Sequence, residues 1–405
     1  MFFTRVATGG IPRGLARTGP AFLSYGFRPF FLGAGVWAVL AVALWVATLT
    51  TGWPVGGAYG AVNWHAHEML FGYTAAALAG FMLTAIPNWT GRLPVSGRPL
   101  LGLFLLWLAG RLLLIQPDLV NLEAALIVDG AFLPALAVIA MREIVAGRNW
   151  KNLKILIGLG ILSAANIWFH LAAYWGLDTT PATRLGITGW VLLIALVGGR
   201  IIPSFTRNWL SRRGARRLPA PFDTWDKFAI FYMAIALAAW NLSPQSWPTA
   251  ALAISAGAVQ GIRLYRWHGW PAWREPIVLI LHIAYAFLAL GLICIGLAAL
   301  GVLTEPSALH VLTIGTLGGM TLAVMTRASL GHTGRPIKAS PFTVMAYGYL
   351  TLATLVRPAV DLFPGAYYAL FAISGLLWIL TFISFVAVYG PILVAPRLNP
   401  RPAEG

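Results

Sequence analysis

Trp64-His65-Ala66-His67-Glu68 stands at the mouth of a long apolar run, and His310 opens a second run in the same manner. Imidazole is the commonest protein ligand for metals and a frequent axial ligand of haem iron. In a chain that is 59% hydrophobic and 10% charged, polar groups at membrane depth are costly and are read first as functional. Depth along the apolar runs sorts the histidines. His65, His67 and His310 lie at outer helix ends, and His170 lies about 7 Å below the outer end of its run, at 1.5 Å per residue. These four share one layer and are the candidate metal and cofactor ligands. His282 falls near a cytoplasmic helix start, while His268 and His332 fall in loops, where an ordinary solvated role is expected.

Spacing restricts the choices further. On one helix, positions two apart point about 200° apart and cannot meet at one ion. Either the helix begins at His67 and His65 reaches in from an extended segment, or the two serve different centres, such as a haem and a nearby copper. Glu68 could fix an imidazole tautomer or simply favour a helix start. Met69 and Met320 offer thioethers that suit Cu(I), although Met in an apolar helix is more often filler. Arg111 is an intramembrane charge with Asp129 at similar depth on the next helix. It is expected either to form a buried ion pair or to hold a haem propionate or another anion with its planar fork of donors, and Glu123 is a competing partner.

The elements that position these groups are membrane helices. A mean hydropathy of +0.77, with 18 Trp and 43 Gly, fits transmembrane segments, whose ends favour Trp and whose contacts favour small residues. Twelve apolar runs fall within residues 30–394, most near the ~20 residues that span a bilayer. The third, seventh, eighth and eleventh (100–115, 228–242, 247–262 and 342–356) are short. The net charge of +16 is not a nucleic-acid signature, because 25 of the 28 basic residues fall in alternate connections. Only Arg184 and Arg357 lie opposite, and Arg111 lies inside a run. By the positive-inside rule this predicts an all-α polytopic membrane protein of twelve helices with both termini cytoplasmic. Residues 1–29 and 395–405 are the tails, and 30–394 form one transmembrane domain in contact with the lipid bilayer. The longest connection is expected from Pro203 to Asp226. The single Cys294 excludes an intrachain disulfide and reads as a packing residue.

An internal parallel repeat is suggested by one offset. His67 and His310 are 243 apart, as are Gly72 and Gly315, and Thr90-Gly91-Arg92 and Thr333-Gly334-Arg335. Apart from Asp129, the acidic residues fall in loops, tails or helix ends, which argues against a carboxylate proton relay.

These residues also carry a family resemblance. The stretch from Trp64 to Gly72, running into Gly80-Phe81-Met82-Leu83-Thr84-Ala85-Ile86-Pro87-Asn88-Trp89-Thr90-Gly91, resembles the NnrS family. So do Gly199-Arg200-Ile201-Ile202-Pro203-Ser204-Phe205-Thr206 and the segment from His310 to Pro336. The resemblance spans nearly the whole chain. It implies a bacterial inner-membrane protein of twelve helices that binds haem b and copper in the nitric-oxide response, with nitric oxide as a small-molecule ligand. His67 and His310, equivalent in the repeat, are then the expected haem ligands, and His65 and His170 the ligands for copper or a second haem.

Two other classes compete with that reading. A haem–copper oxygen or nitric-oxide reductase would need about six histidines including an adjacent pair, which this chain lacks. A transporter or channel for copper, haem or a small metabolite would suit the repeat and the glycine-rich helices. Protein partners are not legible in the sequence.

Overall fold

The computed structural model describes residues 19–398. Arg5, Arg13, Arg17 and Arg401, which the charge argument places in the cytoplasmic tails, lie outside the described residues. Helices account for the architecture, with no strand among the described residues. This follows from the apolar composition, because backbone groups shielded from water must be satisfied within their own segment.

The principal helices are α1 (Phe27–Thr51), α2 (Ala61–Thr90), α3 (Gly97–Ile115), α4 (Leu122–Ala146), α5 (Trp150–Tyr174) and α6 (Thr180–Ser211). They continue as α7 (Thr224–Leu242), α8 (Trp247–Tyr265), α9 (Pro276–Ala299), α10 (Glu305–His332), α11 (Pro341–Val356) and α12 (Pro364–Val394). Nine of them, among the described residues, are long and apolar enough to cross a membrane. The exceptions are α7, α8 and α11, three of the four runs that read as short; the remaining one, α3, extends back to Gly97 and qualifies.

Local chemistry sets several ends. Asn121, Asp223, Ser246, Thr304 and Ser340 cap helix starts by accepting the backbone N–H three residues on. Gly52 and Gly91 end α1 and α2 in the left-handed region, at φ 74° and 68°, where a side chain would be strained. One connection is shorter than the sequence suggested. Helix α6 runs through Pro203 to Ser211, so the basic loop starts at Arg212. Burial of this segment outweighs the one backbone donor that proline lacks.

Helix α2 is the centre of the fold. Of its apolar stretch, 89% is buried, and it packs against α1, α4, α6 and α10. The two helices that carry the 243-residue spacing, α2 and α10, change winding at the same place. A π-helical turn occupies Glu68–Tyr73 in α2 and Val311–Gly318 in α10. Each begins one residue after its histidine, so these turns start at the same 243-residue spacing. A π turn re-aims the side chains of a helix and often accompanies function.

Candidate functional site

Two groups of functional side chains lie beside the first π turn, facing opposite ways. The first is a buried polar cluster. His67 and Glu68 come from α2, Arg111 from α3, Asp129 from α4, and Asn166 and His170 from α5. All six are buried, with Tyr59 and Trp37 closing the edges. Glu68 Oε2 accepts from Arg111 Nη1 at 2.6 Å and from Trp37 Nε1 at 2.6 Å. Arg111 Nη2 contacts Asp129 Oδ1. Asp129 Oδ2 lies 3.0 Å from His67 Nε2 and 2.8 Å from His170 Nε2, and Asn166 Nδ2 donates to it at 3.3 Å. His67 Nε2 also faces Asn166 Oδ1 at 2.9 Å, and its Nδ1 faces Glu68 Oε1 at 3.2 Å. Tyr59 reaches His170 Nδ1 at 3.0 Å.

The backbone has to make room for this network. A Cβ on Gly72 would stand 2.1 Å from Arg111 Nη1 and 2.6 Å from Glu68 Oε2. Glycine there lets the guanidinium lie against the helix, and Trp107 Nε1 donates to the buried Gly72 carbonyl at 2.9 Å. With neutral imidazoles, two carboxylates and one guanidinium leave one negative charge in excess. One added positive charge, a proton on His67 or a monovalent metal ion, balances the cluster. The ligand atoms of His67, Asp129 and His170 lie within 4.8 Å of one another, so one ion could gather all three. Two imidazole nitrogens with a carboxylate oxygen suit copper or zinc.

The second group lines an open pocket with a cavity of about 170 Å³. His65 and Met69 enter it from α2, His310 from α10, Trp45 from α1, Phe371 from α12, and Arg357 from the end of α11. The His65 ring stacks on Trp45, with centroids 4.6 Å apart and planes 11° apart, and its buried Nδ1 has no partner. His310 Nδ1 donates to the Pro306 carbonyl at 2.6 Å, which leaves Nε2 with its lone pair. That is the tautomer a metal ligand needs.

The four candidate histidines therefore divide into two pairs. His67 and His310 do not meet: His67 is enclosed with His170, and His310 shares its pocket with His65. The physical reason is the 200° swing between positions 65 and 67, which sends one imidazole into the bundle and the other into the pocket. Arg111 takes the ion-pair alternative rather than facing the pocket, and Glu123 instead accepts from Tyr174 at 2.8 Å. Met69 lines the pocket with His65 and His310, whereas Met320 lines a separate apolar cavity.

Some residues had stronger roles than the sequence reading assigned. Glu68 is a fully buried partner of Arg111, so Asp129 is not the sole intramembrane carboxylate. Arg263 is not a loop cation; it lies buried in α8 and bonds Asp226 at 2.7 Å and Tyr285 at 2.6 Å. Asn166 carried a legible signal, since it precedes His170 by four residues on one helix face. Arg357 carried another, as one of only two cations, with Arg184, in the connections that otherwise lack basic residues.

The family model for NnrS protein matches residues 21–397. No curated protein matches the chain.

Proposed function

The chain belongs to the NnrS family, and on that premise we propose that it is a haem- and copper-binding protein of the bacterial inner membrane that protects against nitric oxide. The reading includes twelve membrane spans, cytoplasmic termini and a parallel repeat relating α2 to α10. The single observation that supports it most is the pocket of His65 and His310. It offers two imidazoles, one with its Nδ1 unpartnered and one with its tautomer set by a carbonyl, together with a cation at the rim.

The residues present fit the group the family implies. His65 and His310 would hold haem iron, Trp45 and Phe371 would flank the macrocycle, and Arg357 would meet a propionate with a charge-assisted bond. Bound haem would supply an iron atom that takes nitric oxide in place of one of the two imidazoles. The remaining work belongs to the chain. The Pro306 carbonyl holds the His310 ring and its proton, and the stack on Trp45 holds His65. Helix α2 carries His67 in the opposite direction, where His67, His170 and Asp129 would hold copper. A copper ion carried as Cu(I) would replace one proton in the cluster without changing its total charge, so its burial costs little additional electrostatic energy.

The test is absorption spectroscopy with haem and copper quantified on one detergent-purified sample. His65→Ala and His310→Ala are expected to remove most of the haem while copper stays. His67→Ala or His170→Ala is expected to remove copper while haem stays. Haem retained with a normal spectrum in both pocket variants refutes the assignment. A folded, colourless, metal-free wild type would favour the transporter reading, which the presence of two adjoining cavities between α2 and α10 also suits.

A further inference from the structure

A second, half-open cavity of about 70 Å³ lies between α2, α5, α6 and α10, farther along α2 and α10 than the histidine pocket. Its wall is almost wholly apolar, formed by residues such as Met82, Trp190, Ile194, Leu317 and Met320. The one hydroxyl in it, on Thr321, is already engaged by Tyr73 and by the Leu317 carbonyl. Nothing there could stabilise a metal ion, a charged solute or a molecule that needs hydrogen bonds. Leu78, Phe81, Val197, Ile201 and Val324, which line it, are partly exposed.

The wall between the two spaces is one side chain thick. Leu317 lines both. Tyr73 lines the histidine pocket, Thr321 lines the apolar cavity, and their hydroxyls bond at 2.5 Å. Leu70 lines the pocket while its carbonyl accepts at 3.0 Å from Trp190, which lines the cavity. Tyr73 and Leu317 belong to the two π turns. The barrier is therefore built from the two segments whose backbone departs from the regular helical ladder.

We propose that the apolar cavity is an antechamber for an uncharged diatomic gas, which enters from the lipid and passes the Tyr73–Thr321–Leu317 wall to reach the His65/His310 pocket. The destination rests on the haem reading above; the chamber does not. A small apolar gas concentrates in the bilayer, needs no polar partner, and requires only a side-chain rotation to cross such a wall.

Gly198 provides the means of testing it. A Cβ there meets nothing closer than 3.5 Å, so Gly198→Leu projects bulk into the cavity without a backbone clash. Met320→Phe fills the same space from α10 and serves if the first variant does not fold. Crystals of the protein pressurised with xenon are expected to show xenon in the wild-type cavity and none in the filled variant. Flash photolysis of the carbon monoxide complex is expected to show second-order rebinding slowed about fivefold or more in the filled variant, with an unchanged spectrum. Thr321→Val, which removes the hydroxyl pair, is expected to speed rebinding. Absence of xenon, a lipid acyl chain occupying the cavity, or a filled variant with wild-type rebinding overturns the proposal, and unaltered rebinding in Thr321→Val overturns the gate. A protein that lacks haem but takes up xenon refutes the haem reading and leaves the chamber standing.

Discussion

Replacing Arg111 should unbalance the buried cluster in a way that a second substitution repairs. Arg111 sits fully buried between Glu68 and Asp129, bonding the first at 2.6 Å and contacting the second. Arg111→Gln leaves two carboxylates with no guanidinium in a site that water does not reach. Removing one partner of a buried ion pair costs about 3–5 kcal/mol, because the remaining charge keeps its desolvation penalty. That is roughly two to four decades in the unfolding equilibrium. The double variant Arg111→Gln/Asp129→Asn removes one charge of each sign and restores the wild-type total. It should recover much of the loss, even though it has fewer hydrogen bonds than the single variant's parent. Unfolding by dodecyl sulfate in mixed micelles, followed by tryptophan fluorescence, measures both. If Arg111→Gln is as stable as wild type, or if the double variant is no better than the single one, charge balance does not hold this site together.

Gly72→Ala should cost at least about 1–3 kcal/mol in the same assay by overpacking, since its Cβ would lie 2.1 Å from Arg111 Nη1. Gly102→Ala, with nothing within 4 Å of the added carbon, serves as the neutral comparison. Tyr59→Phe withdraws the hydroxyl from His170 Nδ1 and should cost about 1–3 kcal/mol, the usual penalty for a buried group left unpaired; a change within error would mean that the contact carries no weight. Arg357→Gln should weaken haem retention, seen as faster transfer of haem to apomyoglobin, and an unchanged transfer rate would remove the propionate role. Asp223, outside the spans, is held down to about 2 chiefly by its hydrogen bonds from Arg266. Its folded value is below the ordinary 3.8, so its stabilisation is complete above that pH and disappears as the pH falls through about 2. The stability gap between wild type and Asp223→Asn should therefore narrow on acidification between those values; a gap that is constant or widens contradicts the assignment.

Much of the helical frame was legible because apolar length and basic residues are properties of segments. The twelve apolar runs all appear as helices; depth along them singled out His65, His67, His170 and His310 but did not sort them into pairs. The Arg111–Asp129 contact was legible too, since two short antiparallel neighbours place those residues at one depth. The partners of Glu68 were not. Its exposure depends on Trp37 and Arg111 arriving from other helices, and no local pattern reports how helices are rotated. Arg263 misled for a related reason: a cation near a helix end reads as topogenic until a carboxylate is seen beside it.

The sequence by itself determined that this chain is a bundle of membrane helices and which family it belongs to, and it limited positions 65 and 67 to two arrangements, of which the helix already formed at Ala61 leaves separate centres. These follow from composition, motif and helical geometry, which act over one or a few turns. Only the tertiary structure decided which histidines are partners. His67 meets His170 across 103 residues, and His65 shares a pocket with His310 across 245, because α2 lies at the centre of the bundle with different helices on its two sides. The rotation of a buried helix is set by everything packed around it. The pairing of its side chains is therefore a property of the assembled bundle.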